Sequence, residues 1–103
     1  MEPSAEQVAA VESWLGRAFP DATVESRGFF DAEVQLFRAR TPGGSAPAPE
    51  LVVSYLAFED YPDRIVSALE RRKVAERLRV QPNKRLFLNR GLQLVAAPPG
   101  PLK

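Results

Sequence analysis

Residues 51–58 read Leu51-Val52-Val53-Ser54-Tyr55-Leu56-Ala57-Phe58, and this apolar stretch decides the fold class. Its apolar side chains do not alternate with polar ones, which is typical of a central strand covered on both faces. Directly upstream, residues 30–41 do alternate. One face of that segment carries Phe30, Ala32, Val34 and Leu36, and the other carries Asp31, Glu33 and Gln35. A period of two predicts a half-buried strand that pairs with residues 51–58.

Residues 42–49 separate these two strands and contain three prolines and two glycines. Such a composition supports neither a helix nor a strand, so we interpret the segment as the tip of a hairpin and not as a domain boundary. A shorter strand is predicted over residues 22–27, immediately before the alternating segment.

The chain begins with a predicted helix between Ser4 and Pro20. Ser4 and Gln7 have the spacing of a capping box, in which each side chain binds a free backbone N–H at the helix start. Apolar residues follow at helical spacing and form one stripe, so Trp14 is expected in the core. The stripe consists of Val8, Val11, Trp14, Leu15, Ala18 and Phe19.

A second helix is predicted from Asp60, as its cap, to about Val80, because Pro62 suits a first helical turn and Pro82 cannot continue a helix. Its apolar face changes along its length, since Val74 and Leu78 point away from the face of its first half. The helix therefore either kinks near residues 70–73 or buries a second face elsewhere.

Residues 84–97 predict one or two further strands around a turn at residues 89–91, with glycine at the left-handed position. The fold class is thus α+β: an antiparallel sheet of four to five strands with two helices, in the order α-β-β-β-α-β(-β). We expect one domain over residues 1–97 and a disordered, proline-rich tail over residues 98–103.

Both helices are expected on one face of the sheet, with Trp14, Leu15, Ile65 and Leu69 meeting Val34, Leu36, Val53 and Tyr55. The other face would then expose more apolar surface than a solvated sheet carries. Its cover is expected to be either the last segment of the chain or a second subunit, and symmetric dimers are the commonest soluble assemblies. The candidate dimer contacts are Val52, Leu56, Phe58, Val74 and Leu78.

Charge is distributed unevenly along the 103 residues, although the formal net charge is only +1. Residues 1–63 hold eleven acidic and four basic residues, whereas residues 64–90 hold nine basic and two acidic ones. Such asymmetry is typical of proteins with an anionic partner, but a solvated helix face looks the same. The candidate nucleic-acid or anion contacts are Arg71, Arg72, Arg79, Lys84, Arg85 and Arg90.

The chain contains neither cysteine nor histidine. Disulfides, thiolate nucleophiles, imidazole bases and Cys/His zinc sites are therefore excluded. No glycine-rich phosphate loop occurs, so we predict no cofactor and assign no catalytic, cofactor-binding or metal-binding residue. Five carboxylates could converge if their strands pair, which leaves a carboxylate-based, metal-dependent enzyme as a third alternative. They are Asp31, Glu33, Glu59, Asp60 and Asp63.

No apolar stretch approaches the roughly 20 residues that span a membrane, and the acidic start of the chain is unlike a secretion signal. We therefore expect a cytoplasmic protein without a membrane partner. The first hypothesis for its function is a small, non-catalytic interaction module that forms a homodimer. The second is a nucleic-acid-binding protein that uses its basic second helix.

Overall fold

The computed structural model describes residues 2–43, 48–81 and 85–97. These residues form nine elements, whose bounds follow in chain order. They are α1 (Ala5–Ala18), β1 (Thr23–Phe29), β2 (Val34–Arg40), β3 (Glu50–Ser54), α2 (Tyr55–Asp60), α3 (Ile65–Arg71), α4 (Val74–Val80), β4 (Arg85–Leu88) and β5 (Leu94–Ala97).

The five strands form one sheet in the order β1-β2-β3-β4-β5, so β3 is central, as residues 51–58 predict. The α+β class and the mostly antiparallel sheet are confirmed. One pair differs: β3 and β4 are parallel, and α2, α3 and α4 form the crossover between them. A parallel pair needs a long connection of this kind, whereas antiparallel neighbours can be joined by a short turn.

Helix α1 forms as its sequence predicts. Ser4 Oγ accepts a hydrogen bond from the backbone N–H of Gln7 at 3.1 Å, and Gln7 Oε1 accepts one from the N–H of Ser4 at 2.8 Å. The helix buries Val11, Trp14 and Leu15 against the sheet. Trp14 is therefore a core residue.

The face of β2 that meets the helices is the opposite of the one predicted. Phe37 and Ala39 join the helix-side core with Leu51 and Val53, while Val34 and Leu36 lie on the other face of the sheet. The alternating segment has apolar residues on both faces beyond residue 35. The alternation of its first half therefore assigned the wrong face of the strand to the helix-side core. The predicted contacts of Val34 and Leu36 with α1 and α3 are thus wrong, whereas that of Val53 is correct.

The strand predicted over residues 51–58 ends at Ser54. Ser54 Oγ accepts a hydrogen bond from the N–H of Leu56 at 3.2 Å and caps α2 there. A serine followed by apolar residues three apart, Tyr55 and Phe58, is a helix start that the uninterrupted apolar run concealed. Phe58 is consequently buried on the helix side, so its predicted exposure on the sheet is wrong, as is that of Leu56.

The long second helix is in fact two short helices. Asp60 ends α2 instead of capping a helix, and Arg64 precedes α3 without a side-chain cap. Lys73 then adopts the left-handed conformation with a φ of 54°, which separates α3 from α4. The predicted kink is therefore real. It rotates α4 so that Val74 and Leu78 enter the helix-side core.

Strands β4 and β5 form the predicted hairpin. Asn89 Oδ1 accepts hydrogen bonds from the N–H groups of Gly91 and Gln93 and closes the turn. The left-handed residue is Leu92, with a φ of 59°, and not the predicted Gly91. Half of the 42–49 loop tip, residues 44–47, and the tail at 98–103 lie outside the described residues.

Candidate functional site

One face of the sheet carries no helix among the described residues, and we call it the open face. Its centre is apolar: Val34, Leu36 and Val52 lie side by side on β2 and β3, and Phe29 and Phe87 pack against them. The three central side chains are only 3–8% exposed. The two phenylalanines, from β1 and β4, are half-buried, and together with Val95 of β5, which pairs with Phe87 and is 43% exposed, they form accessible apolar surface on this face.

One end of the open face carries an ion-pair triad, which we define as Arg38, Glu50 and Arg85. The three residues are direct neighbours across β2, β3 and β4. Arg38 Nε donates to Glu50 Oε2 at 2.8 Å, and Arg85 donates to Glu50 Oε1 from Nε at 3.1 Å and from Nη2 at 2.9 Å. Each carboxylate oxygen of Glu50 thus binds its own guanidinium group. The triad therefore links three strands through one shared carboxylate.

Burial and pairing act in opposite directions on Glu50. Partial burial raises the pKa of its carboxyl, but the hydrogen bonds and charges of Arg38 and Arg85 outweigh that cost, so the pKa of Glu50 lies below its ordinary value. The side chain of Arg85 is only 8% exposed, against 41% for Arg38. Arg85 is therefore a structural cation that depends on Glu50 for its compensation.

The β1 edge of the open face is also charged. Glu25 forms an ion pair with Arg40 across β1 and β2. The Arg27 guanidinium lies over the ring of Phe29, 5.2 Å from its centroid. The open face therefore has an apolar centre and a charged border. The border carries both positive and negative side chains, and the positive ones are more numerous.

The five predicted anion contacts that the structure describes do not form one patch. Arg85 belongs to the triad, and Arg90 Nε donates to Asp60 Oδ2 at 2.7 Å at the opposite end of the crossover. Arg79 Nη2 donates to the carbonyl of Ala18 at 2.7 Å, which ties α4 to α1. Arg71 and Arg72 are exposed at the end of α3. Lys84 lies outside the described residues.

The predicted dimer contacts are likewise divided. Val52 lies at the centre of the open face, but Leu56 and Phe58 belong to α2, and Val74 and Leu78 are fully buried in the core of the chain itself. Val74 and Leu78 are therefore not available to a second copy in this conformation. The candidate dimer contacts included neither Phe29 nor Phe87; the alternation of Leu86 and Leu88 is the signal that assigns Phe87 to the opposite face.

The predicted carboxylates do not converge. Among residues 2–43, 48–81 and 85–97, no three aspartates or glutamates lie close enough together to hold a metal ion. Asp60 is instead the ion-pair partner of Arg90, which joins the end of α2 to the β4–β5 turn. Over the same residues, no helix has the length and apolarity needed to cross a bilayer.

We compared the chain with protein-family models, with curated proteins and with solved structures, and none of the three comparisons found a significant match.

Proposed function

We propose that this protein is a non-catalytic interaction module that forms a homodimer by packing its open face on the same face of a second copy. The observation that carries the proposal is the one-sided arrangement of the fold. All of the described helices contribute to the core on one face of the sheet, whereas Phe29 and Phe87 remain half-buried on the other. A sheet with an apolar centre on both faces normally has both faces covered.

The mixed charges at the border of the open face favour a second copy of the same chain as the partner that covers this face. A two-fold interface brings each patch against itself, so it requires a surface with both signs of charge or with none. Here Glu25 and Glu50 lie among Arg27, Arg38 and Arg40. Two apolar centres can therefore meet at the usual sheet-to-sheet spacing of about 10 Å, while the guanidinium groups remain at the wet rim.

Sedimentation equilibrium tests the proposal directly. At about 100 µM chain, where micromolar association is nearly complete, the wild type is expected at twice the 11.4 kDa mass of one chain. Phe87→Asp and Phe29→Asp place a carboxylate on the open face from two different strands and should yield the single-chain mass. Val80→Asp is the matched control, since Val80 is 78% exposed on α4, on the helix side.

The far-ultraviolet circular dichroism spectrum identifies which aspartate variants remain folded, and either one suffices for the comparison. A wild type that sediments as a single chain at this concentration would overturn the homodimer. A dimer that survives both open-face variants would place the interface elsewhere. We do not propose nucleic-acid binding, because the structure separates Arg79, Arg85 and Arg90 and uses each of them in an internal contact.

A further inference from the structure

A groove runs between α4 and the edge strand β5, on the helix side of the sheet, and we call it the β5 groove. One part of it, about 390 Å³ in volume, lies between Val80 and Arg77 of α4 and Leu86 and Leu94 of the sheet. A second part, about 510 Å³, continues past Leu94 to the end of α3. Both parts share Glu76, Arg77 and Leu94, so the groove is continuous.

Four cations line the α3 end of this groove: Arg71, Arg72, Lys73 and Arg77. One carboxylate, Glu76, accompanies them, which leaves an excess of three positive charges. The left-handed conformation of Lys73 ends α3 at this point and brings the side chains of two helices to one groove. Within the part of the chain that the structure describes, the arginines 38, 40, 85 and 90 have ion-pair partners, and these four cations have none.

The other end of the groove is apolar. Among the described residues, Val80 of α4 is 78% exposed and lines the β5 groove beside Leu86 and Leu94, whereas the side chain of Val95, which pairs with Phe87, lies on the open face. Exposed apolar residues that cluster in a concave site with a charged rim are typical of a binding surface.

The wall of the groove is an unpaired sheet edge. β5 is the last of the five strands that residues 2–43, 48–81 and 85–97 form, so no strand of these residues pairs with the outer side of its backbone. Natural edge strands are usually protected by charges or bulges. The opposite edge strand, β1, carries Glu25 and Arg27, whereas β5 reads Leu94-Val95-Ala96-Ala97 and carries no charge.

We propose that the β5 groove binds an acidic, extended peptide segment of a partner protein, which pairs with β5 as a sixth strand. Main-chain hydrogen bonds to β5 would supply the affinity of strand addition, and side chains two residues apart would face α4. Acidic side chains lie opposite Arg71 and Arg77, and an apolar side chain of the same face enters the groove beside Val80. The recognised pattern is therefore an acidic residue and an apolar residue spaced two apart.

The test measures the binding of fluorescein-labelled peptides by anisotropy. The probe is a nine-residue peptide in which glutamate, valine and leucine alternate so that one face carries both acidic and apolar side chains. A second peptide has lysine in place of every glutamate. A third has the acidic sequence with alternate backbone nitrogens methylated on the edge that pairs with β5, which removes the strand donors without changing any side chain.

The acidic peptide is expected to bind the wild type at least tenfold more tightly than either of the other two peptides. Arg71→Glu with Arg77→Glu should weaken its binding at least tenfold, whereas Arg17→Glu, a charge reversal at an exposed position of α1, should change it less than twofold. In nuclear magnetic resonance spectra, the amide signals of residues 94–97 are expected to shift with the acidic peptide.

Equal binding of the methylated peptide, or unshifted amides of residues 94–97, would overturn strand addition. Mixed DNA or RNA of equal charge that displaces the peptide at lower concentration would identify a nucleic-acid site instead and would also overturn the proposal. The groove does not depend on self-association, since it lies on the helix side of the sheet. Phe29→Asp, which is designed to yield single chains and lies on the opposite edge strand β1, should bind the acidic peptide as the wild type does.

Discussion

The hydroxyl group of Tyr55 lies directly against Gly28 of β1: a Cβ added to that glycine would stand 2.6 Å from Tyr55 Oη. Tyr55 is the first residue of α2, and its ring meets that of Phe30 edge to face, with 6.3 Å between centroids. Among the described residues, its hydroxyl is the one buried side-chain polar atom without a hydrogen-bond partner. The close approach of the Tyr55 hydroxyl to β1 thus requires glycine at position 28. The hydroxyl forms no hydrogen bond there.

Gly28→Ala is expected to lower the free energy of unfolding by about 1–3 kcal/mol, because a methyl group at this position overpacks the site. Urea unfolding followed by tryptophan fluorescence measures the loss. Gly16→Ala is the matched control, since the nearest atom to its added Cβ is Val24 Cγ2 at an ordinary 3.9 Å. Alanine also favours a helix, so this control should not be destabilised. An equal loss in both variants would contradict the proposed contact.

Tyr55→Phe is expected to keep the free energy of unfolding within about 1 kcal/mol of the wild type, because the hydroxyl that it removes has no partner to lose. Combined with Gly28→Ala, it should recover part of the loss, because the next Tyr55 atom is 3.9 Å from the added Cβ while Gln35 Oε1 remains at 3.1 Å. The measured quantity is the difference between the change in unfolding free energy of the double variant and the sum of the changes of the two single variants. Additive effects would show that the alanine methyl group clashes with something other than the hydroxyl.

Glu50→Gln is expected to destabilise the fold by about 2 kcal/mol, since it leaves the buried Arg85 guanidinium without an anion and weakens charge-assisted hydrogen bonds. Glu25→Gln breaks the exposed pair with Arg40 and should cost less than about 0.5 kcal/mol. Thermal unfolding of both variants at pH 7 provides the comparison. Losses of equal size would mean that the triad is no stronger than a surface ion pair.

The pH dependence of stability should contain a contribution from Glu50. Because pairing lowers the pKa of Glu50 in the folded state, the unfolded chain binds more protons at this group in acid. Its contribution is therefore fully present above the ordinary pKa of 4.5 and is lost as the pH falls through the folded value. The difference in unfolding free energy between the wild type and Glu50→Gln should shrink over that range. A constant difference down to pH 2 would contradict a lowered pKa.

Lys73→Gly is expected to preserve or raise stability, unlike most glycine substitutions. The left-handed conformation at a φ of 54° costs a lysine about 1 kcal/mol that glycine does not pay, which offsets the larger entropy of the unfolded glycine chain. Arg77→Gly, inside α4, should instead cost about 1 kcal/mol. Chemical unfolding of the two variants distinguishes the cases, and similar losses would mean that residue 73 is not left-handed in solution.

The hairpin tip should tolerate replacement. The carbonyl of Pro49 accepts the N–H of Ala39 at 3.0 Å, so Pro49 continues the pairing of β2 with β3 and should be kept. Replacing residues 44–47 with two glycines is expected to shift the melting temperature by only a few degrees, since loop closure changes by about 0.6 kcal/mol per doubling of length. A collapse of the cooperative transition would show that the tip is docked on the domain.

Local signals in the sequence predicted the parts of the fold that local interactions determine. The capping box of Ser4 and Gln7 and the stop at Pro20 bound α1 within two residues of the observed helix. The apolar faces of Val74 and Leu78 left two explanations, a kink near residues 70–73 or a second buried face, and the structure has the kink, at Lys73. What failed depends on tertiary contacts: Ser54 lies in an apolar run, and only the cap that it forms shows that the strand ends there.

The candidate surfaces were less predictable than the fold. If the two faces of β2 are exchanged, Val34 and Leu36 move from the core to the open face. An alternating pattern shows which residues share a face, but it does not show which of the two faces meets the helices. The composition of the chain revealed the basic segment. Its arginines, however, contact α1, belong to the triad or line the β5 groove, and which of these each one does depends on the positions of α4 and β4. Charge along a chain predicts a cationic surface only when the elements that carry it share a face.

The parallel pairing of β3 with β4 has a consequence for the growing chain on the ribosome. Strands β1 to β3 can pair as soon as they emerge, but the second neighbour of β3 ends at Leu88, and the crossover must be translated first. At ordinary elongation rates the interval from Ser54 to Leu88 lasts roughly two to seven seconds. During that time Leu51, Val52 and Val53 present an unpaired strand edge to the solvent. We therefore expect nascent chains that end inside the crossover to be the form of this protein most prone to aggregation and chaperone binding.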